Sequence, residues 1–218
     1  MTKKILILGN VGSGKTTLIR CIRSDYNLPY ISTGNIVRNL LENDPKSPTS
    51  QELKFLIDNK LPFNEGLIVG LLKPEIMRNI ATGFIIDGFP KNPNEANELQ
   101  VLMNSLNIKF DHIFNLQIEL LEVLKRLESR VICQPCNISG SLEKQVFKKN
   151  CDNCGVEMER RKDDEIETIK ARYEYMVGNE TAICDNLEKL SQIGIENIDC
   201  NRTPREIYSE IKTLLYKL

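Results

Sequence analysis

The stretch GNVGSGKTT, residues 9–17, fits the pattern G-x-x-x-x-G-K-[ST], and its reading decides the fold. KILILG, residues 4–9, leads into it as a continuous apolar run ending in glycine, the mark of a strand buried on both faces of a parallel sheet. A helical stretch over about 15–24 follows it, so the motif has the strand, loop and helix it requires. Gly9, Gly12 and Gly14 let consecutive backbone N–H groups turn toward phosphate oxygens, helped by the positive end of the helix. Lys15 adds a mobile charge for the β- and γ-phosphates of a nucleotide, and Thr16 or Thr17 offers a hydroxyl near Mg²⁺. The expected phosphate contacts in the loop are therefore Gly12, Ser13, Gly14, Lys15, Thr16 and Thr17. A chance glycine turn before a helix is the bland alternative.

Outward from the loop, GFIIDG (83–88), DHIFNLQI (111–118) and, more weakly, IENID (195–199) read as further strands. Helical stretches are predicted at about 50–59, 65–80, 93–105, 119–129, 164–189 and 204–217. Strands alternating with helices make an α/β fold with a central parallel sheet flanked by helices. Strand signals vanish over 33–76 and 126–162, which marks both as insertions, and DPKSPTS (44–50) reads as a turn. Thr203-Pro204-Arg205-Glu206 is a capping box with proline at the first helical position; Thr49 and Glu52 form a second such box. Asp163, Asp164 and Glu165 place acids in the first turn of the long helix. Asp87 ends a strand where an acid can hold the water shell of Mg²⁺, and it is equally a common turn residue. The lone His112 is better read as a strand-edge residue than as a catalyst.

The 218 residues suffice for a full hydrophobic core. With 29 Lys plus Arg against 30 Asp plus Glu, a net charge of -1 gives no bulk attraction to nucleic acid or to an anionic membrane. Any anion must be held by a local cluster. MTKKILILGN is too interrupted for a signal-peptide core, and no apolar run is long enough to span a bilayer, so a cytoplasmic chain without membrane contact is expected. In a reducing compartment paired cysteines favour metal over disulfides. Cys133 and Cys136 in VICQPCN and Cys151 and Cys154 in NCDNCG have the spacing of a four-cysteine zinc site. The segment between the pairs is short, polar and poor in core residues, so zinc would supply its missing stability. Iron in the same thiolates, a redox pair and two disulfides are the alternatives. Cys21, Cys184 and Cys200 read as small core or helix residues.

With these motifs in place, the chain resembles the adenylate kinase family nearly end to end. ISTGNIVR (31–38) is similar to that family's monophosphate-site signature, and FIIDGFPKNPNEA (84–96) to its DGFPR segment. The resemblance implies a P-loop kinase fold with a helical NMP-binding insertion over 33–76 and a small zinc-binding lid over 126–162, in a single domain of residues 1–218. It assigns Thr33 to the base of AMP and Arg38 to its phosphate, with Gly88, Lys91 and Glu95 beside them. RLESRVIC puts Arg126 and Arg130 at the lid's entrance, toward ATP; RRKDDEIETIKAR puts Arg161 and Arg172 at its exit, toward AMP. Together with Lys15, those four arginines would be the catalytic cations, since two polyanions can meet only among several converging positive charges. The implied reaction moves the γ-phosphoryl of MgATP to AMP in a monomeric enzyme, with structural Zn²⁺ in the lid.

Where this chain departs from the family pattern, the chemistry changes. Thr16 stands in place of a glycine, and the lid lacks the usual tyrosine, histidine and double proline, reading NISGSLEKQVFKKN instead. The loop alone is also similar to that of deoxynucleoside kinases, with nothing downstream in support. Lys91 replaces an arginine and loses its fork. Glu95 replaces a glutamine and can only accept, which suits the amino group of adenine or cytosine or the two donors of guanine. GMP or CMP is thus the alternative acceptor, although Thr33 is typical of the adenine-accepting branch. A reading from another class is a noncatalytic nucleotide switch whose zinc ribbon binds nucleic acid or a protein, with Lys144, Lys148 and Lys149 as its basic patch and Phe147 to stack a base.

Overall fold

Apolar runs and helical periods sort the chain into β1 (Lys4–Gly9), α1 (Lys15–Tyr26), β2 (Tyr30–Ser32), α2 (Thr33–Asn43), α3 (Pro48–Asp58), α4 (Glu65–Asn79), β3 (Phe84–Asp87) and α5 (Pro93–Ser105). The second half adds β4 (His112–Gln117), α6 (Leu120–Glu128), β5 (Arg130–Cys133), β6 (Ile138–Ser141), α7 (Ile166–Ser191), β7 (Ile195–Asp199) and α8 (Pro204–Leu215). These come from a computed structural model that describes residues 2–59, 61, 63–133, 135–136, 138–141, 150–160, 164–191 and 193–216. Two compact units emerge: Met1–Leu8 with Tyr26–Asn115 and Asn179–Glu196, and Gly9–Asp25 with Leu116–Gly178 and Asn197–Leu218.

The first unit is built on a sheet of order β2-β3-β1-β4-β7. β3 lies parallel to both β1 and β2, with Ile7 and Ser32 each in register with Asp87. Ile5, Leu6, Ile85 and Ile86 are wholly buried, as strands covered on both faces by helices require. Leu6, Phe84 and Ile86 join Val37, Leu53, Leu72, Ile76 and Leu99 from the helices in one core.

Segment 33–76 carries three helices, one of which the hydrophobic pattern does not announce. Ser32 caps α2, its side chain accepting from the Asn35 N–H, so the ISTG motif is itself a helix start. The expected box at Thr49 and Glu52 is corrected: Ser47 is the cap of α3, accepting from the Ser50 N–H, and Pro48 opens the helix. The turn expected over 44–50 therefore already contains the first helical residues.

In the second unit α1 buries Leu18, Ile19 and Ile22, α6 buries Val123 and Leu127, and α8 buries Ile207, Ile211 and Leu215. The Thr203–Glu206 capping box is formed on both sides. Segment 126–162 is not devoid of strands: β5 and β6 pair antiparallel, with Val131 opposite Gly140 and Cys133 opposite Ile138. The long helix begins at Ile166, after Asp164 and Glu165, so its first-turn acid is Glu167; Asp163 lies outside the described residues.

Candidate active site

Directly after β1 the chain turns at Gly9, whose φ is +135°. A Cβ there would stand 2.6 Å from the Leu116 carbonyl oxygen, so only glycine passes. Lys15 sits on the first turn of α1 and donates from Nζ to the Gly9 and Asn10 carbonyls, each at 2.7 Å. Ser13 N–H donates to the Asn10 carbonyl at 3.3 Å and Leu18 N–H to the Gly14 carbonyl at 3.0 Å. Thr16 is exposed at the helix start, with Thr17 half-buried beside it. Ser13 Oγ is buried and takes no hydrogen bond from the described residues, which suits a hydroxyl kept for a phosphate oxygen.

Two residues that sequence reasoning passed over brace this loop. Asn10 is buried; its Oδ1 accepts from the Val11 N–H at 3.0 Å and its Nδ2 donates to the Tyr173 carbonyl on α7 at 3.2 Å. Tyr173 Oη in turn donates to the Ile118 carbonyl at 3.0 Å. Only long-range geometry reveals the pair. Arg126 acts on the same loop: Nε donates to Glu122 at 2.8 Å, Nη1 to the Gly12 carbonyl at 3.4 Å, and Nη2 to the Cys200 and Arg202 carbonyls at 2.7 and 3.1 Å. Cys200 is buried, and burial raises its thiol to about 11. Arg130 grips Asp164 through two parallel bonds, from Nε and Nη2, with both side chains largely buried. Arg172 is exposed on α7; Arg161 lies outside the described residues.

The four cysteines converge. Cys133 closes β5 and Cys136 follows in a turn; Cys151 and Cys154 occupy a second turn tied by Cys151 N–H to the Val156 carbonyl and Gly155 N–H to the Cys151 carbonyl, each at 2.8 Å. Their sulfurs all lie within 4.8 Å of one another. A tetrahedral ion with Zn–S bonds of about 2.3 Å needs sulfurs about 3.8 Å apart, so the donor set fits. Asn153 Nδ2 donates to the Cys136 sulfur at 3.2 Å, an outer partner of the kind that orients a ligand. Backbone N–H groups of Asn153 and Cys154 lower the Cys151 thiol, and burial raises that of Cys133. Lys144, Phe147, Lys148 and Lys149, the basic patch of the nucleic-acid reading, lie outside the described residues.

In the first unit a second cluster forms where β2 and β3 end. Thr33 opens α2, buried, and its Oγ1 donates to the Gly88 carbonyl at 3.0 Å. Gly88 has φ +81°, and a Cβ on it would lie 2.8 Å from that same Oγ1. Asp87 is buried; Tyr30 Oη donates to its Oδ2 at 2.9 Å, while Oδ1 is buried with no donor among the described residues. Arg38 is exposed and donates to Asn35 Oδ1 one turn back. Lys91 is exposed, and its backbone N–H donates to Glu95 Oε2 at 2.6 Å. The Glu95 N–H bonds Asn92 Oδ1 at 2.9 Å, so the buried Glu95 works with Asn92 to start α5. His112 heads β4, buried, 3.5 Å from Glu196 and stacked on Phe114.

The protein-family model described as adenylate kinase matches residues 7–192. Among curated proteins, the chain is 29% identical over 214 residues to the adenylate kinase of Exiguobacterium sibiricum, covering 97% of this chain and 98% of that one. It is 30% identical over 217 residues to that of Bacillus licheniformis, covering 97% of each, and 28% identical over 214 residues to that of Bacillus thuringiensis, again with 97% of each covered. None of its helices among the described residues is long and apolar enough to cross a membrane.

Proposed function

Because the chain belongs to the adenylate kinase family, we propose that it transfers the γ-phosphoryl group of MgATP to AMP, giving two ADP. It is a phosphotransferase. The observation that carries the reading is the family match across nearly the whole chain, at whose start stands a braced glycine loop with Lys15 on the first turn of its helix.

Phosphoryl transfer asks for positioning and charge more than for an acid–base pair. The N–H groups of residues 12–17 would cradle the ATP phosphates, with Ser13 Oγ and Lys15 Nζ beside them. Mg²⁺ bound with ATP neutralises charge on the β- and γ-oxygens. Thr16 and Asp87 are the residues to attend it; the unpartnered Asp87 Oδ1 supports that role. Arg126 would hold the loop and the ATP side together through its carbonyl bonds. Arg130, its plane fixed by Asp164, can present its other edge to phosphate, and Arg161 and Arg172 would add charge from beyond the lid.

Thr33, Gly88, Arg38, Lys91 and Glu95 would take AMP, with 33–76 as the monophosphate-binding insertion and 126–162 as a lid that excludes water until the acceptor is bound. Cys133, Cys136, Cys151 and Cys154 would hold zinc, which in a closed four-thiolate site lends shape and no open coordination position. A monomer in the reducing cytoplasm suits these thiols.

Glu95 favours a second acceptor. A buried carboxylate beside a base selects donor edges, and guanine offers two donors. Diphosphate formation from MgATP with AMP, GMP, CMP, UMP and dAMP in parallel decides the matter. Preference for AMP is expected. Preference for GMP or CMP would make Glu95 the specificity residue, and transfer to none of the five would overturn the kinase reading.

A further inference from the structure

Asp87 holds one oxygen engaged and one idle in a site that water scarcely reaches. Tyr30 Oη donates to Oδ2 at 2.9 Å, and Oδ1 has no donor among the described residues although it is buried. Leaving a buried carboxylate oxygen unpaired is costly, so such an atom points to a ligand that takes it. The bond to Tyr30 reaches diagonally across the sheet: Ser32 is the register partner of Asp87, and Tyr30 lies two residues earlier on β2, on the same face. A ring is long enough to span that diagonal.

We infer that Tyr30 is a positioning residue for the hydrated divalent cation of the nucleotide: its phenol fixes the plane of the Asp87 carboxylate and thereby dedicates Oδ1 to the cation's water shell. This rests on the proposal that Asp87 attends MgATP. Carboxylate rotation about its last bond is otherwise broad and nearly two-fold, so without the phenol the two oxygens exchange places. Outer partners of this kind change metal affinity or activity by about 10- to 100-fold when removed.

Tyr30→Phe removes only the hydroxyl and Asp87→Asn removes the charge; both are compared with the parent chain. Two readouts are taken: the free Mg²⁺ needed for half-maximal rate at saturating ATP and AMP, and the retention of Mn²⁺ with ATP on the protein, followed by water-proton relaxation. For Tyr30→Phe the expected result is a metal requirement raised about tenfold, Mn²⁺ retention weakened alike, and a KM for AMP within about twofold of the parent. Asp87→Asn should show a larger shift of the same kind. A Tyr30→Phe protein with the parent's metal response, beside a shifted Asp87→Asn, overturns the role of Tyr30 alone. An unshifted Asp87→Asn overturns the Asp87 reading and this inference with it, leaving the kinase assignment intact. Should Tyr30→Phe not fold, fluorotyrosine placed at residue 30 carries the test by ¹⁹F NMR: its signal shifts when Mg²⁺ joins ATP on the protein, and an unmoved signal overturns the inference.

Discussion

The phosphate loop and the cysteine turns are both short, polar and poor in apolar side chains, yet they are held by opposite means. Around the loop the braces among the described residues are Lys15 and Asn10 within it and Tyr173 and Arg126 from outside, all through carbonyl or amide groups. Around the turns the interior, among the described residues, gathers Val131, Met158, Cys133 and Cys151 with half-buried Cys136, four of the five carrying sulfur. A cluster of that size cannot offset the entropy of ordering its chain. The loop is thus shaped by hydrogen bonds, whereas the turns add to their own few hydrogen bonds four sulfurs gathered closely enough to hold a metal ion.

The largest effect that would sharpen this contrast is catalytic. Lys15→Met should lower kcat by about a thousandfold while the melting temperature stays near that of the parent. Collapse of the fold instead would show that the loop depends on one side chain. Next comes Cys151→Ser, or chelation of the parent protein. Bound metal should be lost, kcat should fall by about 10- to 100-fold, and limited proteolysis should cut between residues 130 and 160 first. Resistance to cleavage there after demetallation would break the comparison outright.

Smaller changes probe the braces. Arg130→Lys keeps the charge and loses the fork on Asp164, which should cost about 2 kcal/mol in denaturant unfolding. Asn10→Ala removes the tie to Tyr173 and should cost about 1 kcal/mol, with KM for ATP raised and KM for AMP unmoved. The smallest effect lies outside both regions. His112 is lowered by burial and by Lys3, against the raising charges of Glu196 and Asp111. A lowered folded value means that the unfolded chain takes the proton first. Stability from this group is full above about pH 6.5 and is lost as the pH falls below it toward the folded value. His112→Gln should flatten that acid slope relative to the parent.

What the sequence made legible was whatever announces itself locally. β1, β3 and β4 stand out as apolar runs, the loop as glycines at fixed offsets, and the cysteine cluster as two CxxC units. α2 escaped because its four-residue entry reads as a motif rather than as a cap, and because Ile36, Val37, Leu40 and Leu41 crowd one face beside polar neighbours. The hairpin β5–β6 escaped because RVIC and ISGS are only four residues each, with the cysteine and the single glycine masking the alternation. Asn10, Tyr30 and Tyr173 carry no pattern; their partners lie 163, 57 and 55 residues away. Arg126 was found by its place in the chain, but its four bonds to Glu122 and to three carbonyls could not be.

Thr33 and Gly88 have a further consequence, and it concerns the order in which mutations can accumulate. A methyl group at Gly88 meets Thr33 Oγ1 at 2.8 Å in a backbone conformation that L side chains rarely adopt, so no single replacement there is neutral. Thr33→Ala must come first to clear the space, and it forfeits the bond to the Gly88 carbonyl before anything is gained. Even then the φ of +81° still resists a side chain. Residue 33 can thus change with residue 88 left as it is, whereas a change at residue 88 meets both the Thr33 side chain and its own backbone conformation.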